Sequence, residues 1–202
     1  MDQQIKPKKK MQNYKEKVDA KVAAAQEERG LIMVITGNGK GKTTAALGNA
    51  VRALGHGFNV GVAQFIKGEW ESGEINFMRQ HANSNHQFEY HSMNTGFTWD
   101  TQDKEADIAA AEKTWNDAKS MLTNSDLKLV VFDEITYMFS FDYLDIHEFM
   151  TALQNRPVDQ TVIITGRNAK KALIEMADTV SEIKEIKHAY HEGIKAQKGI
   201  DW

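Results

Sequence analysis

The chain contains no cysteine. Disulfides, thiolate metal centres and cysteine nucleophiles are therefore excluded outright. It also lacks any apolar run approaching the roughly 18 residues that a membrane span needs. The basic opening MDQQIKPKKK is not followed by the apolar stretch of a signal peptide. The cytoplasm is the expected setting. There is no internal repeat, and no N-K-x-D-type segment of the kind that reads guanine, which disfavours a GTPase.

What is present fits one ordinary globular domain: 202 residues, 41% hydrophobic and 26% charged. The net charge of −3 is unevenly placed. Residues 1–30 carry 8 Lys/Arg against 5 Asp/Glu, and the rest of the chain carries 17 against 23. A general nucleic-acid binder wants a basic face. The acidic body disfavours that role, although the basic arm could still touch an anion.

The first dozen residues, with Pro7 and Lys8 to Lys10, are expected to be frayed. From about Tyr14 to Glu28 the composition is helical, with a thin apolar stripe of Val18, Val22 and Ala25. So thin a stripe suits a helix lying loosely on its domain or packing on a partner subunit. After Gly30 the chain alternates between short apolar runs and helical segments. Strands are predicted at 31–36, 58–66, 86–91, 127–134 and 161–166, with a further one at 179–188. Helices are predicted at 43–54, 103–122, near 145–154 and at 169–177. This alternation predicts an α/β fold: an open, mainly parallel sheet of five or six strands with helices on both faces. The expected division is an arm at 1–29 and one α/β domain at 30–202.

The segment TGNGKGKT, Thr36 to Thr43, is nearly the phosphate loop G-x-x-x-x-G-K-[ST], with Thr36 in place of the first glycine. A strand runs into it and a helix leaves it, which is the context that gives the motif its meaning. Gly37, Gly39 and Gly41 let successive backbone N–H groups converge on one anion. The helix beginning near Lys42 adds its positive end. Lys42 supplies a point charge, and the Thr43 hydroxyl suits Mg²⁺. Charged hydrogen bonds of this kind contribute on the order of 1.5–3 kcal/mol each. Thr36 sits at the strand end, where a β-branched residue is at home.

VVFDE places Asp133 and Glu134 at the end of an apolar strand. Ligands of such sheets bind at the carboxyl ends of strands, so both carboxylates are expected near Thr43. One could hold the metal directly or through water, and the other could activate a nucleophile or orient the metal's shell. From these two motifs alone, ATP hydrolysis, phosphoryl transfer by a kinase and nucleotide transfer stand equally open. Phe97 and Trp99 lie in a Gly- and Thr-rich loop after the third strand. Taken alone, they are better read as folding back onto the core. Arg167 follows the fifth strand and is divided evenly between a phosphate contact and a surface residue. His188 and His191 lack a further metal ligand, and the lysines of GIKAQKGIDW (193–202) suit a solvated tail.

Taken together, TGNGKGKTTAALG (36–48), VGVAQFIKG (60–68), TGFTWDTQD (95–103), VVFDEITYM (130–138), TVIITGR (161–167) and the tail resemble the P-loop type of ATP:cob(I)alamin (corrinoid) adenosyltransferases. The resemblance runs from about residue 30 to 202 in unbroken order, and Thr at the first loop position is usual in that family. It implies attack of cob(I)alamin cobalt on C5′ of ATP, with triphosphate leaving whole and adenosylcobalamin formed. ATP is expected to bind reversed relative to most P-loop enzymes. The resemblance further implies that Gly37, Asn38, Gly39, Lys40, Gly41, Lys42, Thr43 and Thr44 hold the triphosphate, with Thr36 opening the motif and Asn38 meeting the nucleoside. Thr43, Glu134 and Asp133 would organise Mg²⁺, or Mn²⁺ in its place. Phe97 and Trp99 would face the corrin and help to remove the lower axial ligand of cobalt, which eases reduction to Co(I). It implies a homodimer with the N-terminal helix as a lid, and a reduced flavoprotein as electron donor. The competing expectations are a small P-loop ATPase or kinase, and a nucleotide-binding module whose basic arm contacts nucleic acid.

Overall fold

The computed structural model describes residues 5–66, 72–82, 87–93 and 103–202, with the side chains of residues 5–9 outside that description. Six parallel strands form one sheet: β1 (Ile32–Thr36), β2 (Asn59–Gln64), β3 (Phe88–Ser92), β4 (Leu127–Asp133), β5 (Thr161–Thr165) and β6 (Thr179–Glu182). Their spatial order is β3-β2-β4-β5-β1-β6. All five pairings are parallel. The α/β expectation holds in full.

The four inner strands are the apolar runs of the sequence, and their continuous apolarity has a direct cause. Both faces of the sheet are covered, so successive side chains enter opposite cores. Val60, Val62, Leu129, Val131 and Ile163 join one cluster with Ala46, Leu47 and Ala50 of α2 (Lys42–Gly55) and Ile75 and Met78 of α3 (Gly73–His81). Val130, Phe132, Val162 and Ile164 join the other. They pack with Trp115 of α4 (Lys104–Ala118) and with residues of α5 (Ile135–Ser140) and α6 (Ile146–Gln154). Leu173 of α7 (Lys171–Met176) lies in the same cluster. Its centre is aromatic: Phe132 and Phe149 meet edge to face at 5.2 Å, and Trp115 lies 5.4 Å from Phe149. Side-chain caps start two helices. Asp103 accepts from the Ala106 N–H (3.1 Å), and Asp145 accepts from the His147 N–H (2.8 Å).

Several elements differ from expectation. Helix α1 spans Ile5–Ala24, so part of the segment expected to fray is helical. Pro7 stands in its first turn, where the missing N–H costs no helical bond. Residues 10–29 are all exposed, in keeping with the thin stripe. Helices α3 and α5 were not foreseen. β6 is four residues long where ten were expected, and every one of them is exposed. Among the described residues, no helix is long and apolar enough to cross a membrane.

Candidate active site

The phosphate loop joins β1 to α2. Gly37 and Gly41 have φ of +99° and +114°, a region that side chains rarely adopt. Gly41 precedes α2 and no side chain caps it, which leaves the helix's first N–H groups to an incoming anion. The outer turn of the loop is stitched to the chain beyond β6. The Ile183 N–H donates to the Thr36 carbonyl, and the Gly39 N–H donates to the Ile183 carbonyl, both at 2.8 Å. Thr36 is buried, and its hydroxyl oxygen accepts from the Ala169 N–H at 3.4 Å. The position that departs from the usual motif therefore ties the strand end to the start of α7.

The two lysines of the loop diverge. Lys42 is 6% exposed, and its ammonium donates to the Gly39 carbonyl at 3.0 Å. Burial lowers its pKa, while the negative charge of Glu134 opposes that shift. Lys40 turns outward and pairs with Asp201 at 2.9 Å.

Asp133 closes β4 and is 2% exposed. Its Oδ1 accepts from the hydroxyls of Thr43 (3.0 Å) and Thr165 (2.6 Å), and its Oδ2 accepts from the Gln64 amide nitrogen (2.9 Å). The Gln64 carbonyl oxygen in turn accepts from the Tyr90 hydroxyl at 2.9 Å. Burial pushes the Asp133 carboxyl up, and these three hydrogen bonds pull it back. Register explains the cluster, because Gln64 lies directly beside Asp133 across the β2–β4 pair.

Glu134 is bound differently. Its φ of +59° swings it out of the strand line, and its N–H donates to the Thr165 hydroxyl oxygen at 2.9 Å. Its Oε2 is buried and has no hydrogen-bond partner among the described residues. Burial, followed by the negative charge of Asp133, raises its pKa to about 7. Gly166, at φ +133°, leaves room for this carboxylate: a Cβ there would stand 3.2 Å from Glu134 Oε2 and overlap the Thr136 hydroxyl.

These groups share a cleft of about 640 Å³ lined by Lys40–Thr44, Gln64, Asp133, Glu134 and, from the far end of the chain, Gly199–Trp202. The donor set fits a small hard cation. Thr43 spends its proton on Asp133, so its lone pairs remain available, and Glu134 offers an unpartnered carboxylate oxygen. Mg²⁺ commonly takes one or two carboxylates and completes its shell with phosphate and water. Asp133, bound at both oxygens, suits a water-mediated contact better than a direct one.

The remaining expected residues fall elsewhere. Asn38 and Arg167 line an adjacent polar groove with Glu182 and His188. Arg167 is exposed, and its backbone carbonyl accepts from the Thr136 hydroxyl at 2.7 Å. His191 pairs with Glu185 at 2.8 Å, and no group of three or more His, Asp or Glu side chains placed to hold a metal is found among the described residues. Phe97 and Trp99 lie outside the described residues. Lys195 and Lys198 are exposed, as a solvated tail requires, but the last four residues line the cleft. Sequence reasoning missed Gln64, Thr165 and the C-terminal turn. The one available signal was a polar residue closing an apolar strand, present at both Gln64 and Thr165.

Comparison with known proteins gives a consistent result. Residues 28–202 match the family model described as ATP:corrinoid adenosyltransferase BtuR/CobO/CobP. The chain is 55% identical over 193 residues to a corrinoid adenosyltransferase of Escherichia coli strain K12, covering 96% of each chain. Identity is 54% over 193 residues to the corrinoid adenosyltransferase CobA of Salmonella typhimurium strain LT2, again over 96% of each. It is 46% over 193 residues to a corrinoid adenosyltransferase of Pseudomonas aeruginosa, covering 96% of this chain and 94% of the relative.

Proposed function

The chain belongs to the ATP:corrinoid adenosyltransferases, and from that premise we propose how its cleft carries out the transfer. The reaction moves the 5′-deoxyadenosyl group of ATP to the cobalt of a reduced corrinoid. Cobalt(I) donates its electron pair to C5′, the C5′–O bond breaks, and that bond's pair departs with triphosphate. The leaving oxygen gains negative charge. The loop N–H groups, the N-terminus of α2 and the Lys42 ammonium are donors fixed beforehand for such charge. The pairing of Thr43 with Asp133 beside the unpartnered Glu134 oxygen is the observation that carries this reading.

Thr43 and Glu134 would hold Mg²⁺ or Mn²⁺, with Asp133 acting through water. When bound, the ion supplies further positive charge to the triphosphate. Asn38 meets the nucleoside, and Arg167 contributes charge from the neighbouring groove. Phe97 and Trp99 cover the corrin and displace the lower axial ligand of cobalt, which makes Co(II) easier to reduce. The chain holds no redox group of its own, so a reduced flavoprotein is the fitting electron donor. Exposed helix α1 suits a lid in a homodimer, with arm (1–29) and catalytic body (30–202) as separate units. The need for ATP together with reduced cobalt matches a cytoplasmic setting.

The experiment combines the protein, ATP, Mg²⁺ and chemically reduced cobalamin, then identifies the phosphate product. Inorganic triphosphate together with a cobalt–carbon bond is the expected result. ADP and orthophosphate formed equally without corrinoid would restore the ATPase or kinase reading, which the 54–55% identity to adenosyltransferases over 96% of the chain does not favour.

A further inference from the structure

The two lysines that flank Gly41 have separate partners. Lys42 points into the loop, whereas the Lys40 ammonium sits 2.9 Å from Asp201 Oδ1 and 3.1 Å from the Ile200 carbonyl oxygen. The segment that it grips is closed on itself. The Gln197 N–H donates to Asp201 Oδ2 at 2.7 Å, and the Gln197 carbonyl accepts from the N–H groups of Ile200 (3.1 Å) and Asp201 (2.8 Å). The Gly199 N–H donates to the Trp202 carbonyl at 2.8 Å, with Gly199 at φ +83°. Asp201 therefore uses one oxygen to brace the turn and the other to hold the loop. Trp202 is half-buried although it ends the chain, and it lines the same cleft as Lys42, Thr43 and both carboxylates.

We propose that Lys40 is a latch for the C-terminal turn rather than a phosphate ligand, and that the turn Gln197–Trp202 is a wall of the cleft that positions ATP. The proposal rests on the nucleotide site described above and assigns another role to a loop lysine that the family resemblance gave to the triphosphate. The ammonium is committed twice, to a carboxylate and to a carbonyl, and both contacts lie on the tail. Neither joins it to the loop's anion-facing N–H groups. The Asp201 carboxyl is held below its ordinary range by the hydrogen bond from Lys40. Because the ion pair is partly exposed, the latch is a modest one, and its loss loosens the wall without unfolding the domain.

The test compares Lys40→Ala, Asp201→Asn, the double variant and a chain ending at Ala196. KM for ATP and kcat are measured with chemically reduced cobalamin, ATP affinity is measured separately by calorimetry, and Trp202 exposure is measured by acrylamide quenching against Trp202→Phe. Each single variant is expected to raise KM and the ATP dissociation constant about twofold to fivefold, with kcat nearly unchanged. The double variant should be no worse than the worse single, and Trp202 should become more quenchable in all three. A loss for Lys40→Ala with a wild-type result for Asp201→Asn would make Lys40 a phosphate ligand and overturn the latch. Tighter ATP binding on truncation, or no change in any variant, would overturn the wall. A wild-type protein that binds ATP but forms no cobalt–carbon bond would instead overturn the proposed reaction, and the calorimetric and quenching comparisons would still decide the latch.

Discussion

The Thr43 hydroxyl donates to Asp133 Oδ1 across 3.0 Å, joining the first turn of α2 to the end of β4 over 90 residues of sequence. A hydroxyl has one proton to give. Once that proton is committed to Asp133, the oxygen lone pairs are turned away from it and toward the cleft. Thr43→Ala is expected to weaken Mn²⁺ binding in the presence of ATP, and to reduce kcat/KM, by about 10- to 100-fold. Thr43→Ser keeps the hydroxyl and should restore most of both. Titration of Mn²⁺ by paramagnetic resonance, alongside the transfer assay, reads the two effects. A serine variant as poor as alanine would remove the hydroxyl from this role.

Glu134 gives the free protein a specific pH dependence. Its carboxyl titrates near 7 in the fold against an ordinary value of 4.5, because burial and the Asp133 charge disfavour the anion. The folded state therefore holds its proton more tightly than the unfolded chain does. This contribution to stability is complete below about pH 4.5 and is lost as pH rises through 7. Relative to Glu134→Gln, the wild type should lose at most roughly 3 kcal/mol across that window. Cation affinity should run the opposite way and strengthen as the carboxylate ionises. Urea unfolding of both proteins between pH 4.5 and 8 measures the first effect. Parallel stability curves would contradict it.

Tyr90 fixes the direction of the Gln64 amide. By donating to the Gln64 carbonyl oxygen at 2.9 Å, it leaves the amide nitrogen to face Asp133 Oδ2, also at 2.9 Å. Tyr90→Phe removes that preference at a stability cost of about 1 kcal/mol. Gln64→Leu leaves a buried carboxylate oxygen without its donor and should cost about 1–3 kcal/mol. The double variant should resemble Gln64→Leu alone, because the tyrosine acts through the amide. Strictly additive losses of stability, measured by urea unfolding, would separate the two residues.

For the aromatic pair, Trp99→Ala should slow the reaction begun from Co(II) far more than the reaction begun from chemically prepared Co(I). Lys42→Ala should slow both alike, because its charge serves the leaving triphosphate whatever the route to Co(I). Equal losses for Trp99→Ala from the two starting states would withdraw its part in changing the cobalt's ligation.

The centre of the sheet was legible because burial on both faces leaves continuous apolar runs, and 31–36, 58–66, 127–134 and 161–166 became β1, β2, β4 and β5. Its edge was harder to read, since β6 is exposed throughout and carries little apolar signal. Helix α5 was hidden because ITYMFS continues the β-branched and aromatic character of β4. The break between them is the positive φ of Glu134, a conformation that composition does not announce. The phosphate loop and the acidic pair could be found because each is contiguous in sequence. The bonds from Gln64 and Thr165 to Asp133, and the grip of Lys40 on a carbonyl 160 residues away, arise only from register and chain return.

Arg29 donates to both carboxylate oxygens of Asp178, at 2.9 and 2.5 Å, and one of those oxygens also accepts the Ile32 N–H at 2.8 Å. The root of the N-terminal arm is thereby riveted to the entrance of β1, the pole of the sheet opposite the phosphate loop. Strands of five residues make the sheet only about 17 Å tall at β1. The 20-residue helix α1 is a strut of about 30 Å. The helix is thus nearly twice as long as β1. Non-helical residues 25–29 join the helix to that anchor, so shortening α1 by two turns would remove about 11 Å of helix and leave both the Arg29–Asp178 anchor and the bonds of the cleft in place.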